Sequence, residues 1–126
     1  MLFLIIDDCP SRYDEFTRLL DKKNYRWIIT FDEEIVKSLP IPSVILLDHD
    51  MPKKNGRQWA VHIASYVYPS IDDSVPIIIT STTSLIGARE EMLSTLKDSG
   101  FRAVMNPADH ANCEIEWLSW AEGARA

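Results

Sequence analysis

Two groups of carboxylates end apolar runs in this chain. Asp7 and Asp8 close "LFLIIDD", and Asp48 and Asp50 flank His49 in "ILLDHDMPKKNG". Carboxylates gathered at one place repel each other, so they need a cation or raised pKa values. Oxygen donors with few histidines suit Mg²⁺, which keeps waters of its own and binds phosphate on its open side. Asp7, Asp8 and Asp48 are therefore the candidate metal ligands. Thr80 and Ser81 offer hydroxyls to a phosphate oxygen, and Asn106 offers an amide. Arg12 offers a guanidinium at a helix start, where anions are already favoured. Two chemistries fit. Either Asp48 attacks a phosphoryl donor, or it orients water onto a phosphoester with Asp50 as general acid or base. Helix capping is the plainer use of Asp and Ser; it explains one such residue better than several.

These residues converge only if the elements carrying them do. "LFLII" (2–6) is continuously apolar and reads as a strand buried on both faces. Pro10 and Ser11 open a helix with Phe16, Leu19 and Leu20 on one face. "YRWIIT" (25–30) is the second strand, followed by a short helix with Asp32 as N-cap. "SVILL" (43–47) is the third strand, and Trp59, Ile63, Ala64 and Val67 mark a helix ending near Pro69. "VPIIIT" (75–80), a helix over 86–97 with Met92, Leu93 and Leu96 inward, "FRAVM" (101–105) and the helix "NCEIEWLSWAE" complete the pattern.

Buried strands alternating with helices imply an α/β fold, a doubly wound five-stranded parallel sheet covered on both faces. Ligands of such sheets bind outside the carboxyl ends of the strands. Every candidate residue lies at one of those ends.

Composition narrows the partners. The 126 residues fit a single domain spanning 1–126, with 46% hydrophobic and 25% charged residues. A net charge of −6 offers no attraction to nucleic acid or an anionic membrane. No apolar run approaches bilayer length, so the expected compartment is the cytoplasm. Cys9 and Cys113 are expected to be reduced thiols.

The segments "LIIDDCPSR", "LLDHDMPKKNG", "VPIIITST" and "FRAVMNP" resemble, in order, the signature segments of response-regulator receiver domains, the CheY-like proteins. The resemblance covers nearly the whole chain and implies strand order 2-1-3-4-5. It implies Asp48 at the phosphoacceptor position and Asp8 as a direct Mg²⁺ ligand. Asp7 would act nearby, often through water, and the backbone carbonyl of Asp50 would complete the shell. Two positions depart from the family. Asn106 stands before Pro107 where receivers carry a lysine, and Ala103 stands where they carry an aromatic switch residue. Within the family, "LDHD" (47–50), Gly87–Ala88 and a following Met are similar to the cyclic-phosphate-processing receivers. Their His-Ser-x-Asn motif is absent from "TSTTS" (80–84).

Three functions follow from these readings. The first is a receiver-like domain that binds or processes a phosphorylated ligand, a cyclic phosphate or nucleotide among the candidates. The second is a single-domain response regulator phosphorylated on Asp48. The third is a metal-free interaction module. Trp117 and Trp120 share a face of the last helix, which is either core or a surface for a second copy or a protein partner. His49 should point away from Asp48 and Asp50 by strand alternation. Lys53, Lys54 and His62 read as solvated, and Trp27 as near-core.

Overall fold

The computed structural model describes residues 1–81, 83–105 and 113–125, with side chains of the last helix described from Trp117. Five strands, β1 (Leu2–Ile6), β2 (Arg26–Thr30), β3 (Val44–Leu47), β4 (Ile77–Ile79) and β5 (Ala103–Met105), form one sheet in the order β2-β1-β3-β4-β5. All four pairings are parallel. The helices are α1 (Asp14–Lys22), α2 (Glu33–Ser38), α3 (Gly56–Ala64), α4 (Ala88–Asp98) and α5 (Cys113–Arg125).

Strand alternation sorts the core into two layers. Leu4, Ile6, Ile45, Leu47, Ile77 and Ile79 face α2, α3 and α4, where they meet Val36, Trp59, Ile63, Met92 and Leu96. Phe3, Ile5, Val44, Leu46 and Ile78 face α1 and α5, where they meet Tyr13, Phe16, Leu20, Trp117 and Leu118. The strands are apolar at successive positions because both faces are covered. Each buried side chain of this size stabilises the fold by roughly 1.5–3 kcal/mol.

The fold departs from the sequence expectations at four places. Pro10–Tyr13 form a 3-10 turn, and α1 begins only at Asp14. The third helix stops at Ala64, because Tyr66 turns into the left-handed region with φ 58°. Val67 consequently lies outside that helix and is exposed. Trp27 is also exposed, since β2 is an edge strand, and its indole N–H donates to Asp21 Oδ1 at 2.8 Å. Of the two tryptophans on α5, Trp117 is buried edge-on against Phe3, and Trp120 packs half-buried against the same layer.

The β3–α3 connection is held rigidly under the carboxyl rim. Asn55 caps α3 in a reciprocal capping box with Gln58. Gly56 donates its N–H to the His49 carbonyl at 2.9 Å. A Cβ at Gly56 would lie 2.3 Å from the Asp48 carbonyl oxygen and 2.7 Å from His49 Cα. The Asn-Gly pair thus lets a helix start directly against the strand end.

Candidate functional site

Backbone hydrogen bonds extend the sheet one residue beyond the strands. Asp7 N–H donates to the Thr30 carbonyl, Asp48 N–H to Ile6, and Thr80 N–H to Leu47, at 2.9–3.2 Å. Alternation continues across this rim. Asp7 follows Phe3 and Ile5, Asp48 follows Val44 and Leu46, and Thr80 follows Ile78, so all three belong to the α1 side. Asp7, Asp48 and Thr80 are almost fully buried, whereas Asp8 is exposed.

The turn before α1 supplies their partners. Arg12 Nη1 lies 3.1 Å from Asp7 Oδ2 and 3.2 Å from Asp48 Oδ1, and its Nη2 donates to the Thr80 carbonyl at 3.3 Å. The Tyr13 hydroxyl donates to Asp7 Oδ2 at 2.7 Å, and the Cys9 N–H donates to Asp7 Oδ1 at 2.9 Å. With the Tyr13 hydroxyl donating to Asp7, its oxygen is left to accept from the Thr80 hydroxyl at 2.8 Å, whose alternative acceptor is the Leu47 carbonyl at 3.4 Å.

Even with these donors, burial pushes the Asp7 carboxyl up to about 6. The Tyr13 hydrogen bond works against that rise, and the nearby Asp48 adds to it. Burial also pushes the Tyr13 phenol well above its ordinary range, with Asp7 reinforcing the effect, so Tyr13 stays a donor. Ligand oxygens of Asp7, Asp8 and Asp48 lie within 4.8 Å of one another. Three hard oxygen donors at that spacing, with one carboxyl still reluctant to ionise, fit Mg²⁺ or a similar divalent ion. Beside Asp7 and Asp8 opens a cavity of about 490 Å³, walled by Pro10, Phe31, Lys53, Lys54 and Trp59.

The other expected site residues fall elsewhere. Ser81 is buried and its Oγ accepts the Thr83 N–H at 3.1 Å, which uses the hydroxyl within its own loop. Asp50 is mostly exposed. Its Oδ1 pairs with His49 Nδ1 at 2.8 Å and accepts from the Thr83 hydroxyl at 3.0 Å. The His49 hydrogen bond holds the Asp50 carboxyl below its ordinary pKa, and Thr83 helps. His49 is buried with Nε2 lacking any partner among the described residues. Asn106 lies outside the described residues.

Lys54 is not the solvated turn residue expected. It bonds to Glu33 at 3.3 Å and to His62 Nδ1 at 3.0 Å, over the Trp59 ring, which also gives His62 a partner. Tyr13 is the site residue that the sequence reading missed. Its signal was an aromatic residue just ahead of the apolar face formed by Phe16 and Leu20, although it is the 3-10 turn and not the helix that buries it.

No family model and no curated protein matches the sequence. Solved structures do. The response-regulator domain of Thermotoga maritima CheB is 18% identical, with TM-score 0.70, 99% of this chain covered and 96% of that chain. The receiver domain of a sensor histidine kinase from Pseudomonas aeruginosa PAO1 is 16% identical, with TM-score 0.68 and coverages of 98% and 96%; it carries a magnesium ion in its active-site cleft. The response regulator TrrA of Thermotoga maritima, solved with Mg²⁺ and BeF, is 17% identical, with TM-score 0.65 and coverages of 95% and 97%.

This chain has the receiver fold. At these identities the likeness is one of fold, and the acidic cluster at the strand ends stands on this chain's own residues. No helix among the described residues is long and apolar enough to cross a membrane.

Proposed function

We propose that this receiver-fold domain binds Mg²⁺ through Asp7, Asp8 and Asp48 and handles a phosphoryl group at Asp48. The observation that carries the reading is the convergence of three carboxylates within 4.8 Å, two of them buried, at the carboxyl ends of adjacent strands. Such a cluster is hard to justify for stability, since burial penalises each charge. Bound there, a divalent ion would neutralise charge on the phosphoryl oxygens.

The chain's own residues supply the rest. A carboxylate oxygen of Asp48 forms the bond to phosphorus while the donor's leaving group departs with its electron pair. Arg12 lies against Asp48 and the Thr80 carbonyl, where it would orient phosphoryl oxygens. Ser81, whose hydroxyl proton is left free by the bond it accepts from Thr83, and Asn106, which follows β5 in sequence, are the further candidate ligand groups. Output would pass through a protein partner or through sequestration of the ligand.

Hydrolysis of a phosphoester, including a cyclic phosphate, is the narrower alternative. It asks Asp50 to act as acid or base, yet that carboxylate is engaged by His49 and Thr83. Phosphoryl acceptance by Asp48 is therefore the better-supported reading. The test is to titrate the protein with Mg²⁺ and then beryllofluoride, following tryptophan fluorescence, because Trp59 borders the cavity beside Asp7 and Asp8. A Mg²⁺-dependent response to beryllofluoride that disappears in Asp48→Asn supports acceptance. A Mg²⁺ response alone, with turnover of a cyclic or linear nucleotide phosphate, supports hydrolysis.

A further inference from the structure

Arg12 is the one described cation within ion-pair distance of Asp7 or Asp48, and it touches both. It does so through a single nitrogen, Nη1, while Nη2 is anchored on the Thr80 carbonyl. Asp8, the exposed third carboxylate, has no ion pair among the described residues. The guanidinium therefore covers the two inner carboxylates from the β4 side and leaves the outer one open.

We propose that Arg12 is a built-in competitor of the divalent cation and, once that cation is bound, the anion-facing charge of the site. This rests on the function proposed above and assigns one residue two opposed effects. In the protein without metal, Arg12 neutralises part of the charge on Asp7 and Asp48. An arriving divalent ion meets only Asp8 unpaired, and its positive charge repels the guanidinium a few ångströms away. Weak binding of metal alone is the consequence. A phosphate group arriving with the ion offers Arg12 new oxygens, matched to its planar fork. The carboxylates are then released to the metal.

The half-buried position of Arg12 suits such a movement. Its side chain is 28% exposed, so it is not locked inside the core. Its aliphatic stem starts on the 3-10 turn, beside the Tyr13 ring, with the guanidinium carbon 5.8 Å from the ring centroid. A turn of the outer torsions can redirect the charge while Asp7 keeps its bonds from Tyr13 and the Cys9 N–H.

The experiment compares wild type with Arg12→Ala and Arg12→Lys by calorimetry, first with Mg²⁺ alone and then with inorganic phosphate at saturating Mg²⁺. Arg12→Ala should bind Mg²⁺ about tenfold tighter, as expected for removing a like charge from a partly solvated site, and bind phosphate at least about tenfold more weakly. Arg12→Lys, which keeps the charge but not the fork, should shift both affinities in the same directions by smaller factors. It also serves if the alanine variant does not fold. Opposite signs are the signature, since a merely structural arginine would weaken both. Unchanged Mg²⁺ affinity, or loss of both affinities in folded variants, overturns the inference, while Mg²⁺ binding by the wild type keeps the proposed function standing. Absence of Mg²⁺ binding in wild type and variants alike removes the proposed function and this inference with it.

Discussion

The hydroxyl of Tyr13 sits 2.7 Å from Asp7 Oδ2, making it the short neutral donor to the most buried carboxylate of the cluster. It joins the start of α1 to the end of β1, and through Thr80 it also reaches the end of β4. Removing it in Tyr13→Phe leaves the ring in the core and strips the carboxylate of a partner. The expected cost is about 1.5–3 kcal/mol, the range for a buried hydrogen bond to a charged group. Urea unfolding at neutral pH measures it, and Phe16→Leu serves as a packing control. A change under about 0.5 kcal/mol would mean that the hydroxyl does not stabilise ionised Asp7.

Asp7 also gives the fold a definite pH response. Burial lifts its folded pKa to about 6, above the ordinary value near 3.8. The folded protein therefore holds a proton that the unfolded chain has already released between those values. This contribution is fully present below about pH 4 and is lost as pH rises through about 6, amounting to roughly 2–3 kcal/mol. Urea unfolding in chelator from pH 4 to 7.5 should show that fall, and Asp7→Asn should flatten it. The same proton must leave before a metal ion binds. Mg²⁺ affinity should thus be about tenfold weaker at pH 5 than at pH 7.

Much of this arrangement was legible in the sequence. Five apolar runs named the strands, and their ends named Asp7, Asp8 and Asp48, because strands buried on both faces cannot carry carboxylates inside. Alternation failed for His49, expected to point away from both Asp48 and Asp50, because the chain leaves the strand at Leu47 and the loop lets its Nδ1 pair with Asp50 Oδ1 at 2.8 Å. What stayed hidden depends on local geometry that spacing does not encode. The 3-10 turn at Pro10–Tyr13 rotates Arg12 and Tyr13 towards the carboxylates, whereas a regular helix from Pro10 would have placed them differently. Lys54, Glu33 and His62 meet only because the β3–α3 loop folds over α2. Tyr66 ends α3 in a conformation rare for a non-glycine residue, which the helical pattern through Val67 concealed.

Gly56 tests how the rim is built. Any side chain there collides with the Asp48 carbonyl and with Met92 Cε. Gly56→Ala is expected to destabilise the fold by about 2–3 kcal/mol, the upper part of the range for overpacking. It should also weaken Mg²⁺ binding by shifting Asp48. Thermal unfolding and Mg²⁺ titration of the same variant read both effects, and a variant matching wild type in both would show that the close approach is not needed.

Asp50 separates the two chemistries. Its carboxylate ties His49 to Thr83, joining the β3–α3 and β4–α4 loops. Asp50→Ala should cost about 1 kcal/mol of stability. It should leave Mg²⁺ affinity and the beryllofluoride response within about twofold of wild type, because its side chain is not a metal ligand in this reading. Loss of that response in folded Asp50→Ala would place the carboxylate in the phosphoryl chemistry.

The most direct measurement is calorimetric titration of the purified protein with Mg²⁺ at pH 7, alongside Asp8→Asn and Asp48→Asn. Saturable uptake of one ion per chain, abolished or weakened at least about tenfold in both variants, is the expected result. No uptake by wild type, or uptake indifferent to Asp48→Asn, would contradict a shared cation between β1 and β3.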